Sequence, residues 1–241
     1  MTEIAVTAHE TAQRTIWLYP RLYVMDIIVT TASRVDEPIT QVAEQLTVLG
    51  PEEIDAMAVQ DVGEALQGIF GLVVESESVG ALAYPSIRGS DSGRVLVLID
   101  GVRVNSLTEG NMDLSMIPLE HVARIEILKG ASSVMWGSSL GGVINIITKK
   151  GKGKPRFYLG SEGGRYETWR EFGGASMGNE RVNLSLAFSH NSTDGFSAAA
   201  DDLPGNSEDD KWENTSASTR IGFVLSENID LDLIARFQNG R

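Results

Sequence analysis

PLEHVARIEILKGASSVMWGSSLGGVINIITKK, residues 118–150, is the stretch of sequence that decides the fold of this chain. Within it, residues 124–128 (RIEIL) alternate polar and apolar side chains, which is typical of a strand with one buried face. Residues 143–148 (VINIIT) are mostly apolar, which predicts a second strand buried on both faces. The glycine-rich residues between the two runs provide the sharp turns that such strands need.

The chain upstream of this stretch completes a small domain. Residues 95–99 (VLVLI) predict a third buried strand, and the following Asp100-Gly101 pair predicts a tight turn. One short helix is predicted to begin at Pro51, since proline fits the first helical turn. A second is predicted after Asp61, and Gly71 is expected to end it. Residues 36–150 are therefore predicted to form an α+β domain, a small mixed sheet with short helices.

Residues 151–241 follow a different pattern, a regular alternation with period two. Val182, Leu184, Leu186 and Phe188 alternate with small or polar residues, and each run is about ten residues long, enough for a tilted strand to cross a bilayer. Residues 191–214 form a long acidic connection, whereas residues 178–180 and 227–228 are short turns. Two interpretations stay open on pattern alone: outer-membrane barrel strands, or a soluble antiparallel sheet with its apolar face on a core.

Composition narrows the function classes. The formal net charge of −13 argues against nucleic-acid binding, which needs a basic face. The absence of cysteine excludes disulfides, thiolate metal sites and cysteine nucleophiles. No apolar run approaches the ~18 residues of a membrane-spanning helix, and we recognise no secretory signal peptide.

We find no catalytic constellation and predict that the protein is not an enzyme. The glycine-rich loop of residues 137–142 lacks the lysine and spacing of a phosphate-binding loop. Asp100 is interpreted as a turn residue, and Glu126 as the partner of an internal salt bridge. The three histidines are scattered without the spacing of metal ligands.

The ordered motifs resemble the plug of TonB-dependent outer-membrane receptors. The motifs are residues 87–89 (IRG), residues 95–101 (VLVLIDG) and residues 118–150. The best match in character is the group of cobalamin, colicin-I and catecholate-siderophore receptors. This resemblance implies a plug domain followed by antiparallel transmembrane β-barrel strands. The barrel is expected to be incomplete, since residues 151–241 have room for about five strands and such barrels have about 22.

The resemblance also implies a TonB box ahead of the plug, within a flexible segment of residues 1–35. The expected TonB-binding residues are Asp26, Ile27, Ile28, Val29, Thr30, Thr31 and Ala32. An extended, β-branched run suits this role, because it can add as a strand to the edge of a partner's sheet. The implied partner is TonB with its ExbB/ExbD energising complex.

Three charged residues are expected to lock the plug inside the barrel, namely Arg88, Lys129 and Glu126. In the family, basic plug residues face acidic residues of the inner barrel wall. Lysine at 129 departs from the more usual arginine, which disfavours a bidentate pair there.

The acidic connection is a candidate for a calcium site. Asp194, Asp201, Asp202, Asp209 and Asp210 supply the oxygen ligands that calcium prefers. The alternative is a solvated acidic loop without metal. No other cofactor is expected.

The function implied by the resemblance is energised uptake of a ferric siderophore, cobalamin or haem. The expected location is the outer membrane of a Gram-negative bacterium, within lipid and with the plug facing the periplasm. The alternatives are a plug-like periplasmic binding module without transport activity, or a soluble β-rich hydrolase. The transporter interpretation also expects the reading frame to continue past codon 241.

Overall fold

The structure is a computed structural model that describes residues 27–32, 35–42, 45–75, 82–130, 136–137, 139–195, 211–226 and 229–240. No helix in these ranges is long and apolar enough to cross a membrane. The helices are α1 (Pro51–Met57) and α2 (Val62–Leu66), with 3-10 turns at Ile39–Gln41, Ser92–Arg94, Leu114–Met116 and Leu119–His121. The strands are β1 (Ile28–Val29), β2 (Glu37–Pro38), β3 (Leu46–Leu49), β4 (Leu72–Glu75), β5 (Tyr84–Ile87), β6 (Val95–Ile99), β7 (Val102–Arg103), β8 (Val122–Lys129), β9 (Gly142–Thr148), β10 (Arg156–Gly163), β11 (Trp169–Gly178), β12 (Val182–Thr193), β13 (Trp212–Ser226) and β14 (Ile229–Gly240).

The predicted strands meet in one mixed sheet of order β3-β8-β9-β6-β7. β6 and β9 run parallel, and the other neighbours run antiparallel. Strands β4 and β5 form a separate hairpin, and β1 pairs only with β2. The predicted fold class, a small mixed sheet with short helices, is confirmed.

The helices cover one face of the mixed sheet and create the main core. Ile125, Ile127, Ile144 and Ile146 point into it from the two central strands and are fully buried. They meet Ile54 of α1 and Val62, Ala65 and Leu66 of α2 in the same cluster. Since full burial of one such side chain contributes about 1.5–3 kcal/mol, this face fixes the position of the sheet.

The opposite face of the sheet carries a smaller apolar cluster with two polar side chains among it. Leu96, Leu98, Leu128 and Val143 form the cluster. Glu126 and Asn145 are register partners on β8 and β9 and are 0% and 2% exposed. A buried carboxylate is costly unless it is hydrogen-bonded, so this second face must provide partners for Glu126.

Helix α2 begins as predicted but ends earlier. Asp61 is its N-cap and accepts a hydrogen bond from the Glu64 N–H at 2.9 Å. The predicted end at Gly71 is wrong, because Gln67 already has extended backbone angles and Gly68 follows with a φ of 85°. The helix is therefore a little over one turn long.

The shifted pKa of Asp61 predicts that the stability of the protein depends on pH. Burial of this side chain raises the pKa of its carboxyl to about 7, against the opposing effect of the Glu64 N–H. Because the native state then holds a proton that the unfolded chain releases from about pH 4, the free energy of unfolding should fall as the pH rises from 4 to 7. Asp61→Asn keeps a capping side chain and should flatten this decline, measured by thermal unfolding in detergent at several pH values. Asp91→Asn, at an exposed cap, is the control, and an unchanged slope in Asp61→Asn would contradict the assignment.

Strands β10–β14 form the second sheet, which we call the wall. Every neighbouring pair is antiparallel and consecutive in the chain. The apolar side chains of the alternation face outward: Leu186, Phe188, Leu231, Leu233 and Phe237 are 39–60% exposed. The small and polar ones, including Ser185, Ser189, Asn191, Asn214 and Ser216, are buried against the mixed-sheet domain. Of the two interpretations of this alternation, the structure favours barrel strands, because a soluble sheet would bury its apolar face.

The wall does not close in the described residues, since β10 and β14 each have a neighbour on one side only. This agrees with the predicted incomplete barrel.

Candidate functional site

Residues 27–32, which we call the leading segment, lie on the mixed-sheet domain. Ile28 and Val29 pair with Pro38 and Glu37, and the Ile39 N–H donates to the Ile27 carbonyl at 2.8 Å. Val29, Thr31 and Ala32 are buried, whereas Ile27 and Ile28 are 45% and 43% exposed. Of the predicted TonB box, Asp26 lies outside the described residues.

The buried Glu126 binds the end of this segment. Its Oε2 accepts hydrogen bonds from the Thr30 N–H at 3.0 Å, the Thr31 N–H at 2.9 Å and the Thr31 hydroxyl at 2.5 Å. Hydrogen bonds to a carboxylate are about twice as strong as neutral ones. Glu126 is therefore the principal polar contact of the leading segment with the sheet.

Three more side chains complete what we call the segment seat, formed by Glu126, Arg124, Asn145 and Trp136. The Arg124 Nε donates to Glu126 Oε1 at 2.8 Å, which gives the carboxylate a counter-ion. The Asn145 Nδ2 donates to the Thr31 hydroxyl oxygen at 3.0 Å. The Trp136 Nε1 donates to the Thr31 carbonyl at 2.7 Å. The two backbone groups and the hydroxyl of Thr31 are thus all bonded to the seat.

The three residues predicted to lock the domain to the wall make their polar contacts within the domain. Arg88, in a left-handed conformation with φ of 53°, contacts the Gln45 side chain. The Lys129 Nζ donates to the Phe70 carbonyl at 2.6 Å. Glu126 forms the predicted internal salt bridge, with Arg124, and otherwise contacts the leading segment. A wall-locking role for Arg88, Lys129 and Glu126 stays a prediction.

Asp100 instead forms ion pairs with two strands of the wall. Its Oδ1 lies 3.1 Å from Arg220 Nη1 of β13, and its Oδ2 lies 2.5 Å from Arg236 Nη2 of β14. The same carboxylate accepts hydrogen bonds from the Thr148 N–H and hydroxyl at 2.9 and 2.8 Å. Asp100 forms the predicted turn, with a φ of 51°, and also holds the domain to two wall strands.

Glu120 forms a second ion pair with the wall. It contacts Arg170 of β11, and both side chains are 7% exposed. Arg170 also donates to Glu162 of β10 at 2.9 Å. In these two sets of contacts the domain contributes the acids and the wall the arginines, the reverse of the expected polarity, whereas Lys150 and Asp232 of β14, 3.2 Å apart, follow it. For Arg220 and Arg236 the signal in the sequence was their place on the polar side of the alternating runs at residues 221–225 and 229–237. Arg170 lies outside the alternating runs and had no such signal.

Burial shifts the pKa values of Glu120 and of its neighbour His121. It raises the pKa of Glu120, although the Arg170 guanidinium acts in the opposite direction. The neighbouring His121 has a pKa lowered to about 4, chiefly by burial and then by the nearby Lys149 and Arg236 charges. His121 is therefore neutral at physiological pH, and its Nε2 lies 3.3 Å from the Ser216 hydroxyl of the wall.

An open cleft of about 940 Å³ separates the leading segment from the wall pairs. Ile28 and Thr30 line one part of it, Asp100 and Arg220 another. Lys149, Lys150 and Lys152 of the connection to β10 also line it. The segment seat and the Asp100 pairs thus border the same space.

Only one of the five predicted calcium ligands, Asp194, lies within the described residues. Asp201, Asp202, Asp209 and Asp210 lie outside the described residues, and Asp194 pairs with Lys211 at 3.0 Å. Within the described ranges no three acidic or histidine side chains are close enough to hold a metal ion. Calcium binding stays a prediction.

An α+β domain held by buried ion pairs against an open sheet with an outward apolar face is the arrangement of a plugged outer-membrane barrel. Residues 38–143 match the family model described as TonB-dependent Receptor Plug Domain. The chain is 33% identical over 218 residues to the vitamin B12 transporter BtuB of Photobacterium profundum, an alignment that covers 89% of this chain and 36% of that protein.

Solved structures with the same fold include two siderophore receptors. The ferripyoverdine receptor of Pseudomonas aeruginosa superposes with a TM-score of 0.70 at 18% identity, over 88% of this chain and 27% of that one. The ferric yersiniabactin uptake receptor FyuA of Yersinia pestis gives 0.65 at 19% identity, over 87% and 32%. The resemblance of the motifs to TonB-dependent receptors is confirmed, and residues 38–143 are the family's plug domain. These relatives are transporters and receptors, and the interpretation of the chain as a non-enzyme is confirmed.

Proposed function

We propose that this chain is the plug and first wall strands of a receptor that takes up a scarce ligand across the outer membrane of a Gram-negative bacterium. The observation that carries the proposal is the plug domain at residues 38–143, preceded by a β-branched segment and followed by strands with an outward apolar face. The plug blocks the barrel and faces the periplasm. Energy comes from TonB with ExbB and ExbD, so the chain needs no nucleotide site.

A corrinoid is the ligand we favour. The support is the 33% identity to a vitamin B12 transporter, which exceeds the 18–22% identity to the receptors and the copper transporter of known structure. Ferric siderophores and haem are the competing ligands. Equilibrium binding of cyanocobalamin, a ferric catecholate and haem to the whole protein in detergent separates them. Tight binding of the iron chelate without binding of cyanocobalamin would contradict the corrinoid proposal.

The leading segment is the proposed contact with TonB. TonB would bind residues 26–32 by adding them as a strand to its own sheet, which uses the backbone N–H groups of the segment. The exposed side chains of Ile27 and Ile28 and their short pairing with β2 leave this run accessible at its N-terminal end.

Ile28→Pro is expected to abolish retention of the protein by an immobilised TonB C-terminal domain, since proline removes an N–H and cannot join a ladder. We expect a loss of about tenfold or more. Ile28→Ala keeps the N–H at the same position and should retain most binding, which makes it the matched control. If Ile28→Pro binds as well as the wild type, TonB does not use this segment as a strand.

A further inference from the structure

One buried side chain joins the segment seat to the ion pairs at the wall. Asn145 donates through Nδ2 to the Thr31 hydroxyl oxygen at 3.0 Å and accepts through Oδ1 from the Gly101 N–H at 3.2 Å. It is 2% exposed, so water does not compete for either bond. An amide side chain can do this because it carries a donor and an acceptor on one rigid group.

The Gly101 end of this link belongs to the turn that holds the wall. Asp100 and Gly101 both have left-handed backbone angles, with φ of 51° and 77°. The carboxylate of Asp100 is fixed by Thr148, Arg220 and Arg236. A change in the position of this turn therefore alters the distance to Asn145 on one side and to the two arginines on the other.

The Thr31 end belongs to the seat. The Thr31 hydroxyl donates to Glu126 and accepts from Asn145, so both of its hydrogen-bonding roles are used. If the leading segment leaves, Asn145 loses its acceptor and keeps only the bond from Gly101. The Asn145 amide is then held by one hydrogen bond instead of two, so its orientation toward the Gly101 N–H is less well fixed.

We infer that Asn145 couples the docked leading segment to the plug–wall ion pairs, so that each is more stable when the other is formed. The inference deepens the proposed function: it is the route by which a partner that displaces residues 27–32 would loosen the Asp100 contacts. Coupling of this kind is reciprocal, so a change at either site should be measurable at the other site without the partner.

The test uses two single-cysteine reporters in the whole protein, and residues 1–241 contribute no cysteine of their own. Ala32→Cys, at a position 7% exposed, reports undocking of the leading segment. Ala187→Cys, at a wall position 8% exposed beside Arg220 and Arg236, reports separation of the plug from the wall. Maleimide labelling rates are measured in detergent without TonB and without any transported ligand.

Each reporter is combined with a substitution at the other site. Asp100→Asn should raise labelling at Ala32→Cys, and Thr31→Val should raise labelling at Ala187→Cys, each by a factor of about five or more, the lower end of coupling between sites. In an Asn145→Ala background both ratios of labelling rates should fall to about one, so that neither substitution affects the distant reporter. In an Asn105→Ala background they should persist, because Asn105 is equally buried but bonds only Val95, Val97 and Gly110 within the plug.

The inference is wrong if neither substitution changes labelling at the distant reporter when Asn145 is present. It is also wrong if the distant effects persist in the Asn145→Ala background, because strand β9 then transmits them through its backbone. The outcome is independent of the pull-down with TonB. A protein that fails to bind TonB can still show the coupling, and a protein that binds TonB can lack it.

Discussion

Glutamine in place of Glu126 is expected to release the leading segment from the plug. One carboxylate oxygen accepts three hydrogen bonds from Thr30 and Thr31, and the other accepts from Arg124. A glutamine has only one acceptor oxygen, so its amide N–H groups must face donors on one side or the other. Hydrogen bonds to charged groups contribute about 1.5–3 kcal/mol each, and a net loss of about 3 kcal/mol shifts the docked population roughly a hundredfold.

The measurement is the labelling rate of Ala32→Cys, compared between Glu126 and Glu126→Gln. Thr30→Val is the matched control, because Thr30 contributes its backbone N–H to the seat and valine retains that group. It should change the rate by no more than about twofold. Equal rates with glutamate and glutamine at position 126 would show that another contact holds the segment.

Asp100→Asn is expected to loosen the plug from the wall, because Asp100 forms ion pairs with two wall strands. Asparagine tolerates the left-handed backbone of this turn, so the change removes the charge without breaking the turn. Arg236 then loses the carboxylate at 2.5 Å, and the buried Arg220 keeps Asp232 and the Thr148 hydroxyl. Because Arg220 keeps a counter-ion and the Arg236 side chain is 29% exposed, the cost should lie below the about 3–5 kcal/mol of a buried charge left without any partner.

The Ala187→Cys reporter measures this effect, and urea-dependent separation of plug and wall is an independent readout. Asp91→Asn removes a carboxylate at an exposed cap and serves as the control. Because buried pairs are screened little by salt, the effect should persist at about 0.5 M NaCl. An effect of Asp100→Asn no larger than that of Asp91→Asn would mean that the ion pairs add nothing to plug retention.

The sequence predicted the strands and the turn because their signals are local. Residues 95–99 and 143–148 are apolar runs bounded by turn residues, and both are strands of the mixed sheet. Asp100-Gly101 has the preferred composition of its turn. The end of α2 was misplaced at Gly71 because a helix of five residues offers no apolar period from which to judge its length.

The contacts of the site were less predictable because they join distant residues. Glu126 binds Thr31, 95 residues away, and Asp100 binds Arg236, 136 residues away. Local pattern marks Glu126 only as a polar residue on a strand, and it cannot say which element covers that face. The polarity of the plug–wall pairs also depends on which side chains of β11, β13 and β14 come opposite the plug, which only the packed structure fixes.

The hairpin of β1 and β2 determines how a tensile load would enter the molecule. Its free end is at Ile27 and Ile39, and its closed end holds Thr30 and Thr31 on Glu126. A pull on the chain ahead of Ile27 would break the β1–β2 hydrogen bonds one after another from this open end, rather than load all of them at the same time. The first extension should therefore need little force. Resistance should rise sharply only when the load reaches the carboxylate of Glu126, so the plug would yield in two steps, a weak one and then a strong one.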